Sequence, residues 1–239
     1  MLRAIFLSDT HLKNEREPGY ERVLRFLEEL DGCIDHLFIV GDFFDFWFCR
    51  KGALFPSFKR PIDEILKLAR KGVKVGIFEG NHDFMMKPFF RGMPIEIYSE
   101  WADFVLDGRR FLVSHGDTID TSNIRYLTLR KILRSGFFYY VQKRIPTRLL
   151  WKIADACSRT SKGLTLESER LLAEKMEKFS LKKFEDGYDA VVVGHCHLPI
   201  LKEYNVKGRK KTFAALGDWI SHFTYLDFDG KTFQLVTYT

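Results

Sequence analysis

Five times along this 239-residue chain an apolar run of strand length stops abruptly at Asp, Asn or His. The stops are Asp9-Thr10-His11, Gly41-Asp42, Gly80-Asn81-His82-Asp83, His115-Gly116-Asp117 and Gly194-His195-Cys196-His197, and they hold five of the seven histidines. In an open α/β sheet the carboxyl ends of the strands face one crevice, so five such ends should meet at one place. Nitrogen and oxygen donors without a thiolate pair suit Mn²⁺, Fe²⁺ or Zn²⁺ rather than a cysteine-bound structural zinc. The glycines let the backbone turn sharply out of each strand and come close to a bound ion.

The periodicities around these stops give the fold class. Met1–Ser8, His36–Val40 and Val73–Phe78 read as buried strands. Between them, Tyr20–Leu30 and Pro61–Arg70 repeat apolar residues at helical spacing and are followed by Gly32 and Gly72. That alternation predicts an α/β fold with a parallel element. The second half changes character. Asp107-Gly108, Lys207-Gly208-Arg209 and Asp229-Gly230 mark hairpins, Glu167–Phe179 reads as a helix and Ala190–Val193 as a strand. The expectation for this half is a strand-rich, antiparallel arrangement.

Size and composition are those of one globular domain, residues 1–239, large enough to fold without disulfides or a structural metal. No apolar run approaches the roughly 20 residues needed to cross a bilayer. The N-terminal residues run straight into a strand and lack a signal-peptide layout. Cys33, Cys49, Cys157 and Cys196 show no paired spacing, which predicts a reduced, cytosolic chain. The net charge of +6 is localised. Ser122–Gly163 holds ten Lys and Arg against Asp155 alone, giving +9 and leaving −3 for the remainder. Within it, Ile124, Leu127, Ile132 and Leu133, then Leu149, Leu150, Ile153 and Ala154, predict two helices with apolar faces, the second opened by Pro146. A basic amphipathic segment with Phe137-Phe138-Tyr139-Tyr140 and Trp151 suits an anionic membrane surface, at about 1 kcal/mol per basic residue near it. The same composition suits nucleic acid.

The five motifs, in this order, resemble those of the calcineurin-like metallophosphoesterases. The resemblance implies a sandwich of two mixed β-sheets flanked by helices, here with a helical cap inserted at about 122–163. It implies that Asp9, His11 and His197 hold one divalent ion, that Asn81, His115 and His195 hold a second, and that Asp42 bridges them. Two ions at such a site activate a water and clamp the oxygens of an in-line displacement at phosphorus. His82 would stabilise charge or protonate the leaving oxygen, with Asp83 orienting its ring.

A narrower similarity is carried by Glu17-Pro18 with Leu24-Arg25-Phe26-Leu27, by Gly41-Asp42-Phe43-Phe44-Asp45-Phe46-Trp47 and by Leu216-Gly217-Asp218-Trp219. These look like the UDP-2,3-diacylglucosamine hydrolases of lipid A biosynthesis. That family implies Mn²⁺, cleavage at the α-phosphorus to UMP and 2,3-diacylglucosamine 1-phosphate, and a cap that holds the acyl chains. It implies work on the cytoplasmic face of the inner membrane. Asn81, His82, Asn123, Arg159, Ser161, Lys162 and His195 would contact the substrate. Two departures stand out: His82 sits where those hydrolases typically carry Arg, and Cys196 replaces a usual Thr. A phosphodiesterase for nucleotides or nucleic acid is the alternative reading, and a metal-bound scaffold without activity the remote one. Phe44 and Trp219 read as packing residues, Asp45 and Asp218 as groups that orient histidines or backbone, and Lys13 and Arg16 as surface charge.

Overall fold

A computed structural model describes residues 2–50, 52–153 and 166–239. The first half follows the expected alternation: β1 (Ala4–Leu7), α1 (Pro18–Glu29), β2 (His36–Val40), α2 (Lys59–Arg70) and β3 (Lys74–Phe78). Proline opens α1, where its missing N–H costs nothing. A one-turn helix α3 (Lys87–Phe90) and a short strand β4 (Ile95–Tyr98) come next, and both escape the sequence reading. Then β5 (Ala102–Leu106) and β6 (Arg109–Ser114) flank Asp107-Gly108. Both turn residues have positive φ, 48° and 74°, as a type I′ turn requires.

The cap follows β6. It contains α4 (Ile124–Leu133), α5 (Gly136–Gln142) and a helical stretch at 147–153. Among the described residues three helical pieces therefore stand where two were expected, because Ser135 caps a separate helix through the N–H of Phe138. After it come α6 (Leu166–Glu185), β7 (Ala190–Val193), β8 (Pro199–Val206), β9 (Arg209–Leu216), β10 (Thr224–Phe228) and β11 (Phe233–Thr237).

The strands form two mixed sheets, ordered β11-β10-β1-β2-β3-β4 and β5-β6-β7-β9-β8. In the first, β1 to β4 are parallel and β10 and β11 antiparallel. The second sheet corrects the antiparallel expectation, since β6 pairs β7 and β7 pairs β9 in parallel. Hairpin turns announce only antiparallel neighbours; the long connection from β6 through the cap and α6 permits the parallel pair.

Alternation along the strands builds the layers. Phe6, Phe38, Val40 and Phe78 of one sheet meet Phe111, Val113, Val192 and Leu216 of the other between the sheets. Ile5, Leu7, Leu37, Ile39 and Ile77 point the other way, onto Val23, Leu24 and Leu27 of α1 and Ile62 and Ile65 of α2. Val191, Val193 and Phe213 pack on Ala173, Met176 and Phe184 of α6. Each fully buried side chain of this kind contributes about 1.5–3 kcal/mol. Because β1, β2 and β3 run one way in their sheet and β6 and β7 one way in theirs, the five predicted stops can share one edge of the sandwich. No helix among the described residues is long and apolar enough to cross a membrane.

Candidate metal centre

The five strand ends do meet. Asp9, His11 and His197 form one group of donor atoms, and Asp42, His115 and His195 another; in each, the atoms lie within 4.8 Å of one another. His197 Nε2 is 3.2 Å from Asp9 Oδ1, and His115 Nε2 is 3.4 Å from Asp42 Oδ2. Asp42 stands between the groups, since its Oδ2 is also 3.9 Å from His11 Nε2. Asn81 joins the second group with Oδ1 3.0 Å from His115 Nε2. His115 Nδ1 meets the Val40 carbonyl at 3.0 Å, so its Nε2 faces the centre.

The backbone bends hard to bring these side chains together. Asp9, His11, Asp42, His195 and His197 all have φ between 45° and 66°, the left-handed region that costs a non-glycine residue about 1–3 kcal/mol. Cross-bonds between the loops hold them there: Asp9 N–H donates to the Gly41 carbonyl, His11 N–H to the Asp42 carbonyl and His195 N–H to Asp9 Oδ2. Gly80 and Gly194 are required by contact alone. A Cβ at Gly80 would overlap the Asp42 carboxylate, and one at Gly194 would come within 2.7 Å of Asp9 Oδ2.

The donor set suits divalent metal. Asp9 and Asp42 are buried. Among the described residues, Asp9 Oδ1 and both ring nitrogens of His11 are buried and meet no hydrogen-bond partner. Such atoms cost about 1–3 kcal/mol each when left unmet, and a cation satisfies them. The charges alternate in the same sense. Burial lowers His11 and His195 to about 4, leaving neutral imidazoles ready to ligate. Burial pushes His115 and His197 down as well, yet Asp42 and Asp9 outweigh it and hold them at about 10 and about 9. Asp9 is held at about 2, burial being overcome by His197. Asp42 lies well below the carboxylate range for the same reason, with His115 as its main partner.

His82 stands beside this centre. Its N–H donates to Asp42 Oδ1 at 2.8 Å, and its ring lies edge-on to His11, centroids 4.8 Å apart. Its Nδ1 meets the Asp45 carbonyl at 2.9 Å, so Nε2 is the ring nitrogen that Asp45 does not engage. Asp83 does not orient that ring as expected. Its buried carboxylate instead accepts the N–H groups of Asp42, Phe43, Phe44 and Gly80 at 2.8–3.1 Å. The residue that immediately follows His82 in the chain thus ties the β2 and β3 ends together rather than serving its neighbour.

Asp45 Oδ1 lies 3.8 Å from His11 Nδ1, and Asp45 Oδ2 lies 3.3 Å from Lys13, which is therefore not merely surface charge. Asp218 accepts the N–H groups of Ile220, Ser221 and His222, and Phe44 and Trp219 are buried in the core. Cys196 is buried with the α6 cluster. Asn123 is exposed and caps α4 by accepting the N–H of Tyr126. Arg159, Ser161 and Lys162 lie outside the described residues.

The cap helices turn several apolar side chains outward: Ile124 and Phe137 are 72% and 78% exposed, and Ile132, Leu149 and Ile153 are exposed too. Leu150 and Trp151 turn inward, the latter against Phe55. On α4 it is the polar side chains that face the core. Tyr126 and Arg130 bond Asp117, and Arg134 bonds Glu79 and the Gly80 carbonyl. Sequence reasoning missed these four bonds; the four-residue spacing of Tyr126, Arg130 and Arg134 was the available signal.

Residues 2–199 match the calcineurin-like phosphoesterase family, a span that takes in every donor named above. The chain belongs to that family. It is accordingly a metal-dependent hydrolase of the phosphoesterase type. Among curated proteins, it is similar to a UDP-2,3-diacylglucosamine hydrolase of Azotobacter vinelandii, 28% identical over 99% of both chains. A protein of the same name from Pseudomonas putida is 27% identical over 98% of both. One from Aliivibrio fischeri is 26% identical over 97% of this chain and 96% of its own. Among solved structures, an archaeal phosphodiesterase superposes with a TM-score of 0.46 at 13% identity, covering 98% of this chain and 99% of that one; a score at that level adds nothing to the assignment.

Proposed function

We propose that this chain cleaves the pyrophosphate of UDP-2,3-diacylglucosamine at the α-phosphorus, giving UMP and 2,3-diacylglucosamine 1-phosphate. The observation that carries the reading is end-to-end similarity to hydrolases of that name, cap included, on a chain whose strand ends supply a full donor set. Asp9, His11 and His197 would hold one ion and Asn81, His115 and His195 the other, with Asp42 shared; Mn²⁺ fits these donors, as do Fe²⁺ and Zn²⁺. When bound, such a pair lowers the pKa of a water and neutralises charge on the phosphoryl oxygens.

The chain's own residues do the rest. Asn81 and His195 border the phosphoryl position as well as the second ion. His82, held through Nδ1 by the Asp45 carbonyl, would offer Nε2 to the leaving oxygen. The group expelled from a pyrophosphate is itself a phosphate, a weak base, so it needs charge neutralised more than it needs a strong acid. His82 can therefore occupy the place that Arg holds in the similar hydrolases. Arg159, Ser161 and Lys162 would add phosphate or glucosamine contacts. The exposed Ile124, Ile132, Phe137 and Leu149 of the basic cap would rest on the cytoplasmic face of the inner membrane, where the diacylated substrate resides.

The test is UMP release from UDP-2,3-diacylglucosamine with Mn²⁺ in mild detergent, beside a generic phosphodiester and an Asp42→Asn control. Rapid release that vanishes in the control supports the reading. Turnover of the generic ester alone removes the lipid substrate, and the basic cap would then serve nucleotides or nucleic acid.

A further inference from the structure

We infer that helix α4 braces one of the two ion positions selectively, the one built from Asn81, His115, His195 and Asp42, so that occupancy of that position and docking of α4 are linked. The inference rests on the two-ion reading above.

Three side chains carry it. Tyr126 and Arg130 of α4 and Arg134, the residue that caps its C-terminus, follow one another at four-residue intervals and so share one face. Tyr126 Oη donates to Asp117 Oδ2 at 2.7 Å and Arg130 Nε to the same oxygen at 2.6 Å. Asp117 is buried two residues beyond His115. Arg134 Nη2 donates to the Gly80 carbonyl at 2.7 Å, and Nη1 to Glu79 Oε2 at 3.0 Å and the Ser99 carbonyl at 3.1 Å. Gly80 is the residue that presents Asn81. The helix therefore grips the two loops that supply Asn81 and His115. Among the described residues, α4 makes no hydrogen bond to the loops of Asp9, His11 or His197.

These bonds are charge-assisted and largely buried, so they fix the loops rather than decorate them. Arg134 acts here as a positioning residue, holding the peptide that aims Asn81. A contrasting tie exists at and just beyond the end of α5. Arg50 donates to the carbonyls of Gln142, Lys143 and Ile145, which belong to no ligand loop.

The experiment is calorimetric titration with Mn²⁺ of the full chain and of Arg134→Ala, Arg134→Lys and Arg50→Ala, with amide hydrogen exchange of residues 127–133 measured with and without Mn²⁺. The full chain should bind two ions. Arg134→Ala should weaken one binding step by about 10–100-fold, the usual effect of losing a group that orients a ligand, and leave the other step unchanged. Arg134→Lys should fall between, since one ammonium cannot span three acceptors. Arg50→Ala should keep both steps. By reciprocity, Mn²⁺ should slow exchange in α4 of the full chain and of Arg50→Ala, but not of Arg134→Ala. If Arg134→Ala does not fold, Arg134→Lys carries the same comparison. Unchanged affinities in both Arg134 variants overturn the inference, as does equal weakening of both steps by Arg134→Ala and Arg50→Ala. A full chain that binds fewer than two ions overturns the two-ion reading itself, and the brace with it.

Discussion

Asp83 is the residue whose removal should reveal most about how the centre is held. Its carboxylate accepts four backbone N–H groups, from Asp42, Phe43, Phe44 and Gly80, in full burial. In Asp83→Asn one amide oxygen can serve about two of the four, and the NH₂ group turns its own protons toward the others. Two buried donors left unmet cost about 1–3 kcal/mol each, so a loss near 4 kcal/mol is expected. For a domain of this size that lowers Tm by about 8–16 °C. The assay is thermal and urea unfolding of the metal-free protein beside wild type. If Asp83 instead served the His82 ring, the variant would lose activity while unfolding within about 1 kcal/mol of wild type. That outcome would refute the reasoning.

Other expectations follow from the same geometry. Gly80→Ala places a Cβ into the Asp42 carboxylate and 2.5 Å from its backbone nitrogen; it should cost about 1–3 kcal/mol in urea unfolding and weaken Mn²⁺ binding at least about 10-fold. His115 and His197, raised to about 10 and about 9, carry protons at pH 7 that an ion must displace. Affinity should therefore rise with pH through about 9–10 and fall toward pH 6, and calorimetry in buffers of different ionisation enthalpy should show about two protons released. Retained affinity at pH 6 with no release would contradict those charges. His82→Ala should keep two ions by metal analysis and lose about 10²–10⁴-fold in rate; a full rate would make His82 structural.

Much of this was legible in the chain. Strand stops at Asp9, Asp42, Asn81, His115 and His195 are local features, and the crevice rule for α/β sheets brings them together without any knowledge of register. Helices α1 and α2, and the three predicted hairpin turns, declare themselves through spacing and turn chemistry. What was hidden depends on partners distant in sequence. The parallel pairing of β6 with β7 leaves no turn signal, because more than seventy residues separate the strands. Asp83 meets N–H groups about forty residues away, whereas its sequence neighbour His82 suggested a side-chain pair. The periodic Ile124 and Ile132 announce an apolar face on α4 but not which way it points: the buried carboxylates of Asp117 and Glu79 draw Arg130 and Arg134 inward and leave those isoleucines outside. Charge complementarity across the fold sets the direction there.

The central claim is that five strand ends build one centre for two ions. Crystals grown with Mn²⁺ and measured at a wavelength where manganese scatters anomalously test it directly. Two peaks about 3.5–4 Å apart, with Asp42 between them and Asn81, His115 and His195 around one, are the expected result. A single peak, or two on residues other than these four with Asp9, His11 and His197, would contradict it.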